Sequence, residues 1–261
     1  MTEQPETILS VERVSVHFGG LAAISDMRFA VKRGEIVGLI GPNGAGKTTA
    51  FNVITGFLRP TDGDVRYHSQ LITGFKPHEI SRLGLVRTFQ RTSVFWNRSV
   101  FDNVLTGLHC SGRSSLADAL LQSRREKSSE RELRESAWEI LRFVDLDQRA
   151  EQKAGVLAYG EQRLLGIALA LAVKPTMLLL DEPVSGMNQS ETARVVELVK
   201  KINNSGVTIL LVEHDMQMVM KVCGRIVVLN YGRIIAEGSP VDIQSNPEVV
   251  RAYLGQGKKR A

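Results

Sequence analysis

EIVGLIGPNGAGKTTAFNVITGF, residues 35–57, decides the architecture. Residues 35–40 predict a buried strand, residues 41–46 a glycine-rich turn and residues 47–57 a helix. GPNGAGKTT, residues 41–49, fits G-x-x-x-x-G-K-[ST]. The strand before it and the helix after it give that pattern its specificity. Gly41, Gly44 and Gly46 let the backbone bend until successive N–H groups point inward, with Pro42, Asn43 and Ala45 completing the loop. The helix that starts near Lys47 adds its positive dipole end. Such a loop holds phosphate. Lys47 reaches the β- and γ-phosphates of a nucleotide, the Thr48 hydroxyl ligates Mg²⁺, and Thr49 covers the α-phosphate side.

Three further segments answer the needs of that loop. MLLLDEP, residues 177–183, reads as a strand ending in two carboxylates. Asp181 is the metal partner, and Glu182 is placed to polarise the water that attacks the γ-phosphate. ILLVEHD, residues 209–215, repeats the arrangement and puts His214 where a γ-phosphate sensor belongs. RTFQ ends another apolar segment at Gln90, whose amide can touch Mg²⁺ and the attacking water. Taken alone, that glutamine is equally well a strand-end residue without a role.

The surroundings are those of a globular α/β domain. The chain has 261 residues, 43% hydrophobic and 23% charged, enough for a sizeable core. Strand-like and helix-like runs alternate, which predicts a largely parallel sheet. Residues 176–180 and 207–212 are further central strands, 191–203 a helix, and 225–235 a hairpin turning at Asn230-Tyr231-Gly232. Residues 89–156 lack any β-rich run, and helical segments there flank a polar stretch, 111–132. From Leu133, apolar residues recur at three- and four-residue steps, one face of an amphipathic helix. Residues 240–254 predict two short helices. Cys110 and Cys223 have no metal-ligand spacing and read as reduced thiols. The N-terminus has neither the basic start nor the apolar centre of a signal peptide, and the longest apolar run, 164–173, is too short for a membrane span. The net charge of +5 suits a phosphate-rich neighbour without choosing one, and Lys258-Lys259-Arg260 reads as a solvated terminus.

LAYGEQR, residues 157–163, sits before the helix that precedes the DE strand. With phosphate loop, glutamine, DE strand and histidine in this order, nearly the whole chain resembles an ABC ATPase. The resemblance implies a P-loop NTPase fold: a RecA-like, mostly parallel core with N-terminal antiparallel strands and an inserted helical subdomain. It implies one ABC ATPase domain over 8–254, with the α/β core in 8–88 and 173–239, the helical subdomain in 89–172 and a helical tail in 240–261. In that family the signature segment, here Leu157, Ala158, Tyr159, Gly160, Glu161 and Gln162, binds the γ-phosphate of ATP held by the other subunit's loop. The working unit is then a dimer with Mg²⁺ and ATP at its interface. Phe18 matches the aromatic position that stacks on adenine; as an isolated phenylalanine it would be assigned to the core.

FGGLAAIS, NVITGFLRPTDG, PHEISRLGLVRTFQ, DEPVSGMN, LVEHDM and NPEVVRAYLG are similar to the ATPase subunits of bacterial branched-chain amino acid importers. That likeness implies membrane-spanning subunits, a second ATPase subunit (a related but different chain, or a second copy when isolated), an indirectly coupled periplasmic or extracellular binding protein, no nucleic acid, and a peripheral place on the cytoplasmic face of the inner membrane. Exporter ATPases of the lipid type and soluble ABC proteins are the alternatives. Ala158 stands where the signature usually has serine, Tyr159 where it has glycine, Glu161 where it has glutamine, and Asn188 where aspartate is usual. Unequal nucleotide sites are the expected consequence.

Overall fold

Apolar pentapeptides with no charge form strands only where both faces are covered, and here they make the centre of a sheet. The computed structural model describes residues 6–88, 94–111 and 124–254. In chain order its elements are β1 (Thr7–Phe18), β2 (Leu21–Lys32), β3 (Ile36–Ile40), α1 (Lys47–Ile54), β4 (Asp62–Tyr67), β5 (Gln70–Leu71), α2 (Pro77–Arg82) and β6 (Leu85–Arg87). The helices α3 (Val100–Ser111), α4 (Arg124–Phe143) and α5 (Tyr159–Ala172) come next. Then follow β7 (Met177–Asp181), α6 (Gln189–Asn204), β8 (Thr208–Val212), α7 (Met216–Val222), β9 (Arg225–Asn230), β10 (Arg233–Gly238), α8 (Pro240–Ser245) and α9 (Pro247–Leu254).

Two sheets result. An antiparallel one has the order β2-β1-β4-β5, and a mostly parallel one has the order β10-β9-β3-β8-β7-β6, with only β10 antiparallel. This is the expected α/β arrangement. Every residue of β3, β7 and β8 is buried. Alternate residues feed opposite sides of the sheet. Ile36, Leu178, Leu180, Ile209 and Leu211 join the core shared with the helices, while Val37, Leu39, Leu179 and Leu210 join the core shared with α1 and the antiparallel sheet. Because the strands run parallel, the loops after β3, β7 and β8 emerge at one edge, where open α/β sheets place their sites.

The helices α3, α4 and α5 pack on one another through Val104, Leu108, Ala137, Leu141, Leu165 and Ala168. Gly107 lets α3 approach α5 closely, since a Cβ there would lie 3.2 Å from that of Ala172. Two expectations need correction. The helix of the phosphate loop ends at Ile54, not residue 57, because Thr55 turns its hydroxyl back to Phe51 O and Gly56 takes a left-handed φ of 74°. The helix placed from Leu133 starts at Arg124, inside the polar stretch, where arginine, glutamate and lysine are good helix formers. The hairpin turns as expected at Tyr231 and Gly232, both left-handed, the conformation of a two-residue type I′ turn.

Candidate functional site

The loop between β3 and α1 is held open by its glycines. Gly41 has φ 154°, and a Cβ there would sit 2.0 Å from Leu229 O; Gly46 has φ 107°. The hairpin after β9 braces the loop from below, with Gly232 N–H donating to Ala45 O at 2.9 Å. Helix α1 begins at Gly46 with no side-chain cap and no acidic residue in its first turn. By contrast α6, α7 and α8 are capped by Asn188, Asp215 and Ser239. Among the described residues, the first N–H groups of α1 therefore have no side-chain cap to meet them.

Lys47 is 6% exposed and turns its ammonium back into the loop, donating to Gly41 O at 2.7 Å and Pro42 O at 2.9 Å. Burial lowers its pKa, and the nearby Glu182 carboxylate partly offsets that. Thr48, Asn43 and Gly44 are exposed and Thr49 half-buried.

Asp181 ends β7, Glu182 follows it, and His214 follows the neighbouring β8. Glu182 has a left-handed φ of 48°, with its N–H bound to Val212 O at 2.9 Å. That backbone setting carries its carboxylate to His214 Nε2, 2.8 Å from Oε1. Asp181 is buried and paired with Arg87, whose Nη2 donates to Oδ2 at 2.7 Å while Nη1 donates to Asn52 Oδ1 at 2.7 Å. Arg87 thus ties the end of β6 to α1 and to Asp181. Sequence reasoning missed this pair; an arginine at the end of an otherwise apolar strand segment was the available signal. Glu213 was also passed over, and among the described residues its buried carboxylate binds only backbone N–H groups.

The segment 157–162 lies apart from the loop 41–49 in its contacts. Ala158 is the N-cap of α5, and Glu161 Oε2 accepts its N–H at 3.0 Å while Oε1 accepts from Arg149 Nε at 2.8 Å. Tyr159 is 48% exposed, and Arg163 donates to its hydroxyl at 2.6 Å. Gln162 donates to Leu157 O, and Gly160 is closed off by Glu191, 2.7 Å from where a Cβ would stand. Phe18, at the end of β1, is 53% exposed, so it is no core residue. Gln90 lies outside the described residues.

Among the described residues no group of three or more His, Cys, Asp or Glu side chains could hold a metal unaided. Asp181 and Thr48 instead fit an ion that keeps water and phosphate oxygens as most of its ligands, as Mg²⁺ does. The arrangement as a whole can bind a polyphosphate through N–H groups and an ammonium, and can polarise water between a carboxylate and an imidazole.

Two family matches agree with this geometry. Residues 24–185 match the family described as "ABC transporter", and residues 233–259 match "Branched-chain amino acid ATP-binding cassette transporter". The high-affinity branched-chain amino acid transport ATP-binding protein BraF of Pseudomonas aeruginosa is 42% identical over 95% of this chain and 98% of its own. LivG of Escherichia coli, of the same description, is 41% identical over 96% and 99%. Among solved structures, an ATP-binding cassette of an ABC transporter in its ADP conformation, MJ1267, superposes with a TM-score of 0.84 at 33% identity over 96% of this chain and 99% of that one. A dimeric cassette bound to ADP and Pi, MJ0796, gives 0.75 at 25% over 89% and 99%. A loop built for polyphosphate, carboxylates at the neighbouring strand ends and a likeness that runs the length of the chain make this protein a member of the ABC transporter family of ATPase subunits.

Proposed function

We propose that the chain hydrolyses ATP to drive import of branched-chain amino acids or closely related small solutes. For the chemistry, the carrying observation is the Glu182–His214 pair, 2.8 Å apart at the strand ends beside Lys47. In the cycle, Lys47 leaves Gly41 O and Pro42 O for the β- and γ-phosphates, whose charge is also met by the N–H groups of the loop and of α1. Thr48 and Asp181 would hold Mg²⁺, which neutralises phosphate charge when bound. Glu182 polarises the attacking water, and His214 orients that carboxylate and touches the γ-phosphate. Gln90, from the segment beyond Thr88, would add its amide to the ligands that hold Mg²⁺. Phe18 offers its exposed ring to the adenine.

Residues 157–162 act on the nucleotide of a partner ATPase subunit, through N–H groups at the start of α5. The proposed partner is a related chain in a pair with two nucleotide sites, and the missing Ala158 hydroxyl makes the two sites unequal. Phe95, Trp96 and Val156 are exposed apolar side chains, and Gly155 N–H donates to Trp96 O, which brings residues 95–96 beside residue 156. That patch suits a membrane-spanning subunit as the receiver of the motion. Among the described residues no helix is long and apolar enough to cross a membrane, in keeping with a peripheral place on the cytoplasmic face. A binding protein on the far side would select the solute. The match of residues 233–259 and the named relatives favour import over the export and soluble alternatives.

The test is capture of partners by the tagged Glu182→Gln chain with ATP from gently solubilised membranes. Two multi-span subunits and a second ATPase are expected, together with uptake of radiolabelled leucine by the wild-type assembly. Ribosomal or wholly soluble partners would end the transport assignment and leave the ATPase chemistry intact.

A further inference from the structure

We infer that Glu213 is a positioning residue that sets the spacing between Glu182 and His214, an inference that rests on the catalytic assignment of that pair. Glu213 is 2% exposed, and among the described residues no basic side chain pairs with its charge. Three backbone N–H groups satisfy it instead. Oε1 accepts from Val184 at 2.9 Å; Oε2 accepts from His214 at 2.7 Å and from Asp215 at 3.1 Å. The two oxygens therefore serve different loops. One holds the turn after β7, two residues beyond Glu182, and the other holds the turn after β8 at His214 itself.

A buried carboxylate needs such compensation, and N–H donors to an ionised acceptor make strong bonds. What singles this one out is that its two arms clasp the two backbones whose side chains meet at 2.8 Å. The left-handed Glu182 is held from one side by its own N–H bond to Val212 O and from the other by the clasp at Val184. A hydroxyl side chain at position 213 would be too short to reach across both turns. Glutamine would keep the shape but turn an NH₂ donor toward an N–H donor, so it must release one arm. Glu213 touches neither nucleotide nor water in this scheme and acts only through the pair it spaces.

Glu213→Gln in the full-length chain is expected to lower kcat by about 10- to 100-fold, the scale of a misplacement of roughly 1 Å. KM and the affinity for a fluorescent ATP analogue should stay within about twofold, since the phosphate loop is untouched. On a Glu182→Gln background the change should add no further loss; losses that multiply, or an unchanged kcat in the single variant, would overturn the inference. Glu182→Gln and His214→Ala made alone serve as the control. Normal turnover in both would instead overturn the catalytic assignment, whatever Glu213 does. A second readout needs no turnover: in protein labelled at histidine ¹³Cε1, the His214 signal, identified by its loss in His214→Ala, should move in Glu213→Gln. A His214 signal left in place would refute the clasp. Glu213→Asp keeps both acceptors on a shorter arm and should give an intermediate kcat. Failure of both variants to fold would assign Glu213 to stability alone.

Discussion

The phosphate loop with its strand ends and the signature segment are built on opposite plans. In the first, Lys47, Asp181 and Glu213 are buried, their positions fixed by backbone partners and by Arg87. In the second, Ala158 and Tyr159 stand in solvent, and the polar groups nearby are tied to one another: Glu161 to Arg149 and Ala158, Arg163 to Tyr159. One region is a cavity wall whose polar groups are already held in place. The other is an exposed surface, which the proposed function assigns to the nucleotide of another subunit. Under the proposed function, a chain that carries both completes its nucleotide sites with a second chain; the related MJ0796 cassette was solved as a dimer bound to ADP and Pi.

Breaking the first region should have the larger effects. Lys47→Ala should weaken ATP binding at least about 100-fold, because several charge-assisted bonds go together, as a fluorescent-nucleotide titration would report. Glu182→Gln should cut steady-state hydrolysis by ~10²–10⁴-fold and leave that titration unchanged. Normal turnover would remove Glu182 from the role of base. Arg87→Met should lower unfolding free energy by about 3–5 kcal/mol in urea, since it strands the Asp181 carboxylate without its partner. A loss below about 1 kcal/mol would mean that the pair is solvated in practice.

The signature should respond more mildly, and in the favourable direction. Ala158→Ser supplies a cap for α5, worth about 1 kcal/mol, and a hydroxyl for the partner's phosphate. ATP-driven dimerisation of the Glu182→Gln chain should tighten about tenfold by light scattering. No change would mean that this segment works through backbone N–H groups alone. The least effect is expected at Cys223, whose thiol is pushed by burial up to about 12. It should resist iodoacetamide at pH 8 in the Cys110→Ala protein until the fold is opened.

Much of the fold was legible because it rests on local signals. The loop 41–49, the apolar runs of strands β3, β7 and β8, and the Tyr231-Gly232 turn each announce themselves within ten residues. The pairing of Arg87 with Asp181, 94 residues apart, is set by their strands becoming neighbours, and no local pattern encodes that adjacency. The end of α1 at Ile54 was misplaced because the helix-favouring apolar pattern ran on while Gly56 turned left-handed. The part of Glu213 was hidden for a different reason. Its partners are backbone N–H groups, which every residue has, so no choice of side chain at Val184 or Asp215 reveals it.

The uncapped start of α1 has a thermodynamic consequence. A helix N-cap contributes about 1 kcal/mol, and α6, α7 and α8 each carry one from their own side chains. At α1 the phosphates of a bound nucleotide would supply it, so part of the affinity for ATP is folding energy withheld until the ligand arrives. Ligand that binds only the native state shifts unfolding by mass action, about 2.7 kcal/mol at a hundred times Kd. In a starved cell the same protein would be idle and also easier to unfold, which couples its lifetime to the energy supply it spends.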